Sequence, residues 1–188
     1  MKERFLLHVC CAPCGIAVID GLRSSYDLWV LFYNPNIFPE TEYQKRKSEV
    51  VRVCGEWGIP MIDEDYDASA WEEEVKGLEK EKEGGRRCPV CFRYRLFRTA
   101  ETALELGFSV FGTTLSSGRN KRADIIDAIG MEAAERFGVR YCGEDWKKGG
   151  RQELGKKMIA ERGIYRQDYC GCRFSLKQRH PEKESCPA

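Results

Sequence analysis

Five short apolar runs, near Phe5–Val9, Leu28–Tyr33, Ile59–Ile62, Phe108–Thr113 and Val139–Cys142, alternate with amphipathic segments of helix length near 14–24, 40–57, 68–80, 89–106, 121–137 and 151–162. Strands joined by helices come out parallel, because each helix carries the chain back to the starting edge of the sheet. The rhythm predicts an α/β fold, a mainly parallel sheet with helices on both faces, in which ligands bind beyond the carboxyl ends of the strands. The 188 residues fit a single domain, 1–188, with a core over about 4–176. Residues 179–188, with Pro181 and Pro187, read as a loosely held tail.

Ten cysteines are the second constraint, and seven of them fall in three tight groups: Cys10, Cys11 and Cys14; Cys88 and Cys91; Cys170 and Cys172. A chain of this length needs no disulfide staple. The apolar stretch after Met1-Lys2-Glu3-Arg4 is too short for a secretory signal, and nowhere do about 18 apolar residues run together. The expectation is a cytoplasmic protein away from membranes, with reduced thiols available for metal or redox chemistry.

Cys10, Cys11 and Cys14 follow the first expected strand and open the first helix, whose amino terminus favours thiolates. Relatives of this topology that bind nucleotides carry a glycine-rich loop there. Cysteines fill it here, so ATP use is not expected. Cys88-Pro89-Val90-Cys91 opens a later helix, with proline suited to the first turn and both sulfurs on one side. Two such sets meeting would offer four or five thiolates, enough for zinc or for an iron–sulfur cluster. Cys11-Ala12-Pro13-Cys14 alone would suit thiol–disulfide exchange. Cys170-Gly171-Cys172 can close only a small, strained disulfide ring, which marks a redox pair or a mobile ligand pair. Cys54, Cys142 and Cys186 stand alone and read as buried or incidental thiols. His8 and His180 lie too far in sequence from any cysteine group to be named ligands.

The net charge of +1 hides polarity along the chain. Residues 62–83 carry ten acids against three lysines, residues 86–98 five arginines and no acid, and residues 146–183 eleven Lys or Arg against four acids. Such a surface suits a polyanion. Tyr33-Asn34-Pro35-Asn36-Ile37 leaves the second strand at the ligand edge, as a turn or as a ligand contact. Gly112 to Lys121, rich in small hydroxyl residues, is either a capped loop or a phosphate site.

Leu7-His8-Val9-Cys10-Cys11-Ala12-Pro13-Cys14, Tyr33-Asn34-Pro35-Asn36-Ile37 with Glu42, Tyr43 and Arg46, Arg87-Cys88 with Cys91, Arg95 and Leu96, Thr113-Thr114-Leu115 with Lys121, and Tyr169-Cys170-Gly171-Cys172 with Ser175 and Leu176 resemble the QueH-type epoxyqueuosine reductases. The resemblance runs from residue 7 to residue 176. It implies a PP-loop-like, adenine-nucleotide-hydrolase (HUP) topology without the nucleotide loop, and a 4Fe-4S cluster. The implied reaction reduces epoxyqueuosine at the wobble position of tRNA to queuosine. By the same resemblance Cys10, Cys11, Cys88 and Cys91 hold the cluster and Cys170 with Cys172 forms a redox-active pair. Spacing alone does not exclude Cys14 as a ligand. Phe38-Pro39-Glu40 and Gly118-Arg119 depart from the family pattern without touching a candidate ligand.

Deoxygenating an epoxide to an alkene consumes two electrons and two protons, whereas a 4Fe-4S cluster ordinarily passes one electron at a time. A helper is therefore expected: the Cys170/Cys172 dithiol, or one additional iron near Cys14 or that pair. The electron donor has no signature in the sequence. For tRNA, Arg86, Arg87, Arg93, Arg95, Lys147, Lys148 and Arg151 would neutralise phosphates, Lys121, Asn34 and Asn36 would contact substrate, and Tyr33 could stack on a splayed base. The competing readings are a zinc-stabilised RNA-binding module and a thiol oxidoreductase acting through Cys11 and Cys14.

Overall fold

The computed structural model describes residues 1–64, 66–118 and 121–182. Five strands, β1 (Arg4–His8), β2 (Asp27–Phe32), β3 (Met61–Asp63), β4 (Val110–Thr113) and β5 (Arg140–Cys142), form one sheet in the order β3-β2-β1-β4-β5. Every pairing is parallel, with Leu6 opposite Trp29 on one side and Phe111 on the other. Seven helices accompany them: α1 (Ala12–Arg23), α2 (Glu40–Trp57), α3 (Ala68–Glu74), α4 (Arg87–Glu105), α5 (Ala123–Phe137), α6 (Arg151–Arg162) and α7 (Arg173–Arg179). The α/β expectation holds, with each expected strand overlapping an observed one.

Side chains on β1 alternate between two cores, because successive strand residues point to opposite faces. Phe5 and Leu7 pack with Val30, Phe32 and the inner sides of α1, α2 and α6. Leu6 packs with Leu31, Phe111 and the α4 and α5 residues Leu96, Ala100, Ile126 and Ala133. Burial on both faces explains why the β1 run is continuously apolar rather than alternating. The order reverses at β1, whose neighbours β2 and β4 are reached through helices on opposite faces. The crevice this leaves at the carboxyl ends of β1 and β4 receives the functional side chains.

A third, smaller cluster covers that edge: Trp71 and Val75 meet Cys91, Cys172 and Phe174. It is built from α3, α4 and α7, and α7 was not expected from the sequence. Helix α7 ends at Arg179. His180 Nε2 lies 2.6 Å from an Asp168 carboxylate oxygen, and residues 183–188, with Cys186 and Pro187, fall outside the described residues. Helix α3 stops at Glu74 instead of reaching 80. Glu72, Glu73 and Glu74 crowd its negative end, and Gly77 turns the chain at φ +82°.

Gly130 on α5 faces the ring of Tyr141 on β5, and a Cβ there would overlap the ring. Helix propensity alone favours Gly130→Ala by about 1 kcal/mol. The clash reverses the sign, and the variant is expected to lose about 1–3 kcal/mol in urea denaturation. A stabilised variant would contradict this packing of α5 on β5.

Candidate metal centre

Three cysteines sit at the start of α1. Cys11 is its N-cap, Cys10 precedes it and Cys14 lies in the first turn, with Pro13 occupying a position whose missing N–H costs nothing. The three sulfurs lie within 4.8 Å of one another, and Cys10 Sγ is 3.9 Å from Cys11 Sγ. Hydrogen bonds from the Cys11 and Cys14 thiols hold Cys10 well below the ordinary thiol range. The contact with Cys10 and burial push Cys11 up to about 12 against the contact with Cys14, and the contacts with Cys10 and Cys11 raise Cys14. Gln167, from the segment before α7, donates its Nε2 to Cys11 Sγ at 2.8 Å. Nothing in the sequence pointed to Gln167.

Cys88 and Cys91 lie in the first turns of α4 and, with Cys170 and Cys172, line a narrow, partly enclosed cleft. Burial raises the thiols of Cys88 and Cys91, opposed by Lys121 at the first and by Arg95 at the second. Gly84 N–H donates to Cys88 Sγ at 3.2 Å, and Arg95 Nη2 donates to Cys91 Sγ at 3.3 Å. Lys121 Nζ donates to Cys170 Sγ at 2.7 Å. Burial alone would lower Lys121, yet Cys170, Cys88 and Glu83 together outweigh it and raise the ammonium's pKa. Cys172 is the N-cap of α7 and accepts from Ser175 N–H at 3.4 Å.

The two sulfur groups are electrically joined by Arg95, which is 2% exposed. Burial depresses its guanidinium, and Cys91, Cys10 and Cys170 together raise it above its ordinary value. Asn34 links the same groups, donating to Val9 O at 2.9 Å and accepting from Arg95 Nη1 at 3.4 Å. From the β4 side, Thr114 Oγ1 accepts from Cys10 N–H at 3.4 Å and lies 3.8 Å from Cys10 Sγ. The hydroxyl-rich loop read as a phosphate candidate therefore touches the cysteines; its Arg119 and Asn120 lie outside the described residues.

Several expectations change. Arg87 and Arg95, read as surface cations for phosphates, are buried, 1% and 2% exposed. Arg87 Nη1 donates to the carbonyls of Leu78, Glu79 and Glu81, and its guanidinium lies over Phe174. Such a cation serves the site and not a polyanion. Tyr33 is 9% exposed and stacks on Tyr94 at 6.0 Å between ring centroids, so Tyr94 stands between it and a base. Among the exposed cations, Arg86 pairs with Glu81, Arg93 with Glu132, Lys148 with Asp145 and Arg151 with Glu144. Lys147 donates to Lys121 O at 2.6 Å. His8 is kept from ligation: Nε2–H donates to Tyr33 O at 3.1 Å and Nδ1 accepts from Thr113 Oγ1 at 2.8 Å. Burial pushes its pKa down to about 4, and the neutral ring pins β1 to its neighbours. Cys54 is a core thiol.

The Cys170-Gly171-Cys172 turn is anchored by Arg46 of α2. This buried guanidinium donates to Cys170 O at 3.0 Å and Tyr169 O at 3.3 Å, and Nε donates to Glu42 at 2.7 Å. Gly171 has φ +137°, and a Cβ there would lie 3.1 Å from Arg46 Nη1. Only glycine suits the position. The donor set, seven free thiols with Arg46, Arg87 and Arg95 buried and Lys121 half-buried around them, fits a thiolate-bound metal carrying net negative charge.

Residues 5–178 match the protein family described as epoxyqueuosine reductase QueH. Relatives of that name include one from Haemophilus influenzae, 42% identical over 97% of this chain and 75% of its own length. Another, from Histophilus somni, is 41% identical over 97% of this chain and 76% of its own. The one from Thermotoga maritima is 38% identical over 93% of this chain and 91% of its own. The fold is also similar, at TM-score 0.54 and 12% identity, to the U34-tRNA thiolase NcsA from Methanococcus maripaludis, solved with its [4Fe-4S] cluster, over 96% of this chain and 68% of that one. A predicted subunit of tRNA methyltransferase from Methanocaldococcus jannaschii shares the fold equally well, with TM-score 0.54 and 12% identity over 85% of this chain and 88% of that one.

Arg46→Leu leaves the carbonyls of Tyr169 and Cys170 without their buried donor and Glu42 with only the Tyr165 hydroxyl, and is expected to cost about 3–5 kcal/mol. Hydrogen exchange at residues 170–172 should accelerate in the variant. Arg52→Leu, on the exposed side of the same helix, should change stability by less than about 1 kcal/mol. Equal effects of the two substitutions would refute the anchoring role of Arg46.

Proposed function

The chain belongs to the epoxyqueuosine reductase QueH family, and from that premise we propose that it reduces epoxyqueuosine in tRNA to queuosine at a centre built from its seven clustered thiols. The observation that carries the reading is that Cys88, Cys91, Cys170 and Cys172 line one cleft with Arg87, Arg95 and Lys121, while the Cys10, Cys11 and Cys14 triad is linked to it through the buried Arg95. A 4Fe-4S cluster held by Cys10, Cys11, Cys88 and Cys91 would supply electrons singly. The shared interaction of Cys10 and Cys91 with Arg95 supports grouping these segments.

The chain's own residues account for the remaining requirements. Cys170 and Cys172 as a dithiol carry two electrons and two protons; closing them to a disulfide balances conversion of an epoxide to an alkene and water. Lys121, in contact with Cys170, holds a proton beside the reacting sulfur and lines the cavity. Arg46 and Gly171 fix the pair without using a side chain that would block approach. Cys14 is available as a further sulfur, and one additional iron near it or near the pair is the alternative two-electron helper. The substrate is tRNA with epoxyqueuosine in the anticodon. Asn36 at the cleft and the exposed cations Arg86 and Lys148 are the proposed contacts, in a cytoplasmic setting without ATP.

Anaerobically reduced protein incubated with tRNA carrying epoxyqueuosine should remove one oxygen by nucleoside mass spectrometry. Cys88→Ala should abolish turnover by removing a cluster ligand, whereas Cys54→Ala should retain it. Absence of any mass change with metal-loaded wild type would exclude the assignment, and a colourless protein holding zinc would favour an RNA-binding module.

A further inference from the structure

Buried polar atoms nearly always find partners, so an orphan requires a reason. Among the described residues, seven buried side-chain nitrogen or oxygen atoms have none, and three of them, Asn36 Oδ1, Trp71 Nε1 and Arg87 Nη2, belong to residues lining the single cavity that also holds Cys88, Cys91, Cys170 and Cys172. Two of the other four, Arg162 Nε and Arg173 Nε, still lie beside carboxylates, at 3.4 Å from Glu56 and 3.0 Å from Glu72. The cavity orphans have no such compensation.

Trp71 is 2% exposed and packs in one cluster with Cys91 and Cys172, its ring 6.2 Å from Phe174. A buried indole N–H normally donates to something. Arg87, 1% exposed, is fixed by three carbonyls on Nη1, leaving Nη2 without an acceptor. The lining offers few acceptors. Arg95 and Lys121 are themselves donors, Phe92 has no polar atom, and Asn36 Oδ1 is unpartnered and so is not reached. Sulfur remains.

We propose that Trp71 Nε1 and Arg87 Nη2 are fixed hydrogen-bond donors to sulfur of the iron–sulfur cluster, either its cysteine thiolates or its inorganic sulfide. The inference rests on the cluster reading above. Donors in this position stabilise the more negative, reduced form and raise the reduction potential, as outer-shell partners do at metal sites generally. They are positioning residues that tune the centre without touching substrate.

The test uses anaerobically reconstituted full-length wild type, Trp71→Phe and Arg87→Lys. Trp71→Phe keeps an aromatic ring in the pocket while removing the N–H. The expected result is unchanged iron and sulfide content with a lower midpoint potential in both variants. Wild type carrying ¹⁵N-indole tryptophan, once reduced, should show an indole nitrogen coupled to the cluster's electron spin, and the coupling should vanish in Trp71→Phe. If that variant does not fold, the wild-type coupling decides alone. A cluster-bearing wild type with no indole coupling, or a Trp71→Phe potential equal to wild type, overturns the inference while leaving the cluster reading intact. Wild type that assembles no cluster overturns both.

Discussion

Positive charge buried without matching carboxylates is the constraint on which the rest of this site depends. A guanidinium or ammonium removed from water is costly unless it meets a counter-charge or well-placed acceptors. Arg46 has Glu42, and Lys121 has Glu83 only at 3.9 Å. Arg87 relies on carbonyls, and Arg95 on Cys91, Asn34 and a backbone oxygen. For Arg95 and Lys121 the nearest ionisable partners are the sulfurs of Cys91 and Cys170. The cations and the thiols offset one another in part: Lys121 and Arg95 oppose the upward shift that burial imposes on Cys88 and Cys91, and the sulfurs give the cations the partners they lack.

The sheet makes that balance possible. Because the strand order reverses at β1, α1 and α4 pack on opposite faces of the sheet, each opening with its cysteines, and Arg95 of α4 links Cys91 to Cys10. The carboxyl-terminal segment then closes over the edge, tied by Arg46 to the Cys170 turn and by Gln167 to Cys11. Cys88 and Cys91 open α4, and the Cys170–Cys172 turn shares their cleft beside Lys121.

Much of the scaffold was legible because its determinants are local. Continuous apolar runs marked the strands, and cysteines beside prolines marked the starts of α1 and α4. Features set by distant contacts were not. Arg87 and Arg95 read as surface charge, since nothing in the local sequence distinguishes an arginine that meets solvent from one that meets sulfur; the placement of Arg95 one turn after Cys91 was the available hint. Gln167 and Trp71 carry no motif, and α7 is only seven residues long with a polar composition. Spacing grouped Cys14 with Cys10 and Cys11, as the structure has them, but it could not show that Cys88 and Cys91 share their cleft with Cys170 and Cys172.

The central claim, that thiols from α1 and α4 bind one metal centre, is tested most directly by a thiol-labelling footprint read by mass spectrometry before and after metal removal. Protein isolated without oxygen should leave Cys10, Cys11, Cys88 and Cys91 unmodified, and stripping the metal should expose all four together while Cys54 stays buried and unchanged. Labelling of those four cysteines at the same rate with and without metal would contradict the account.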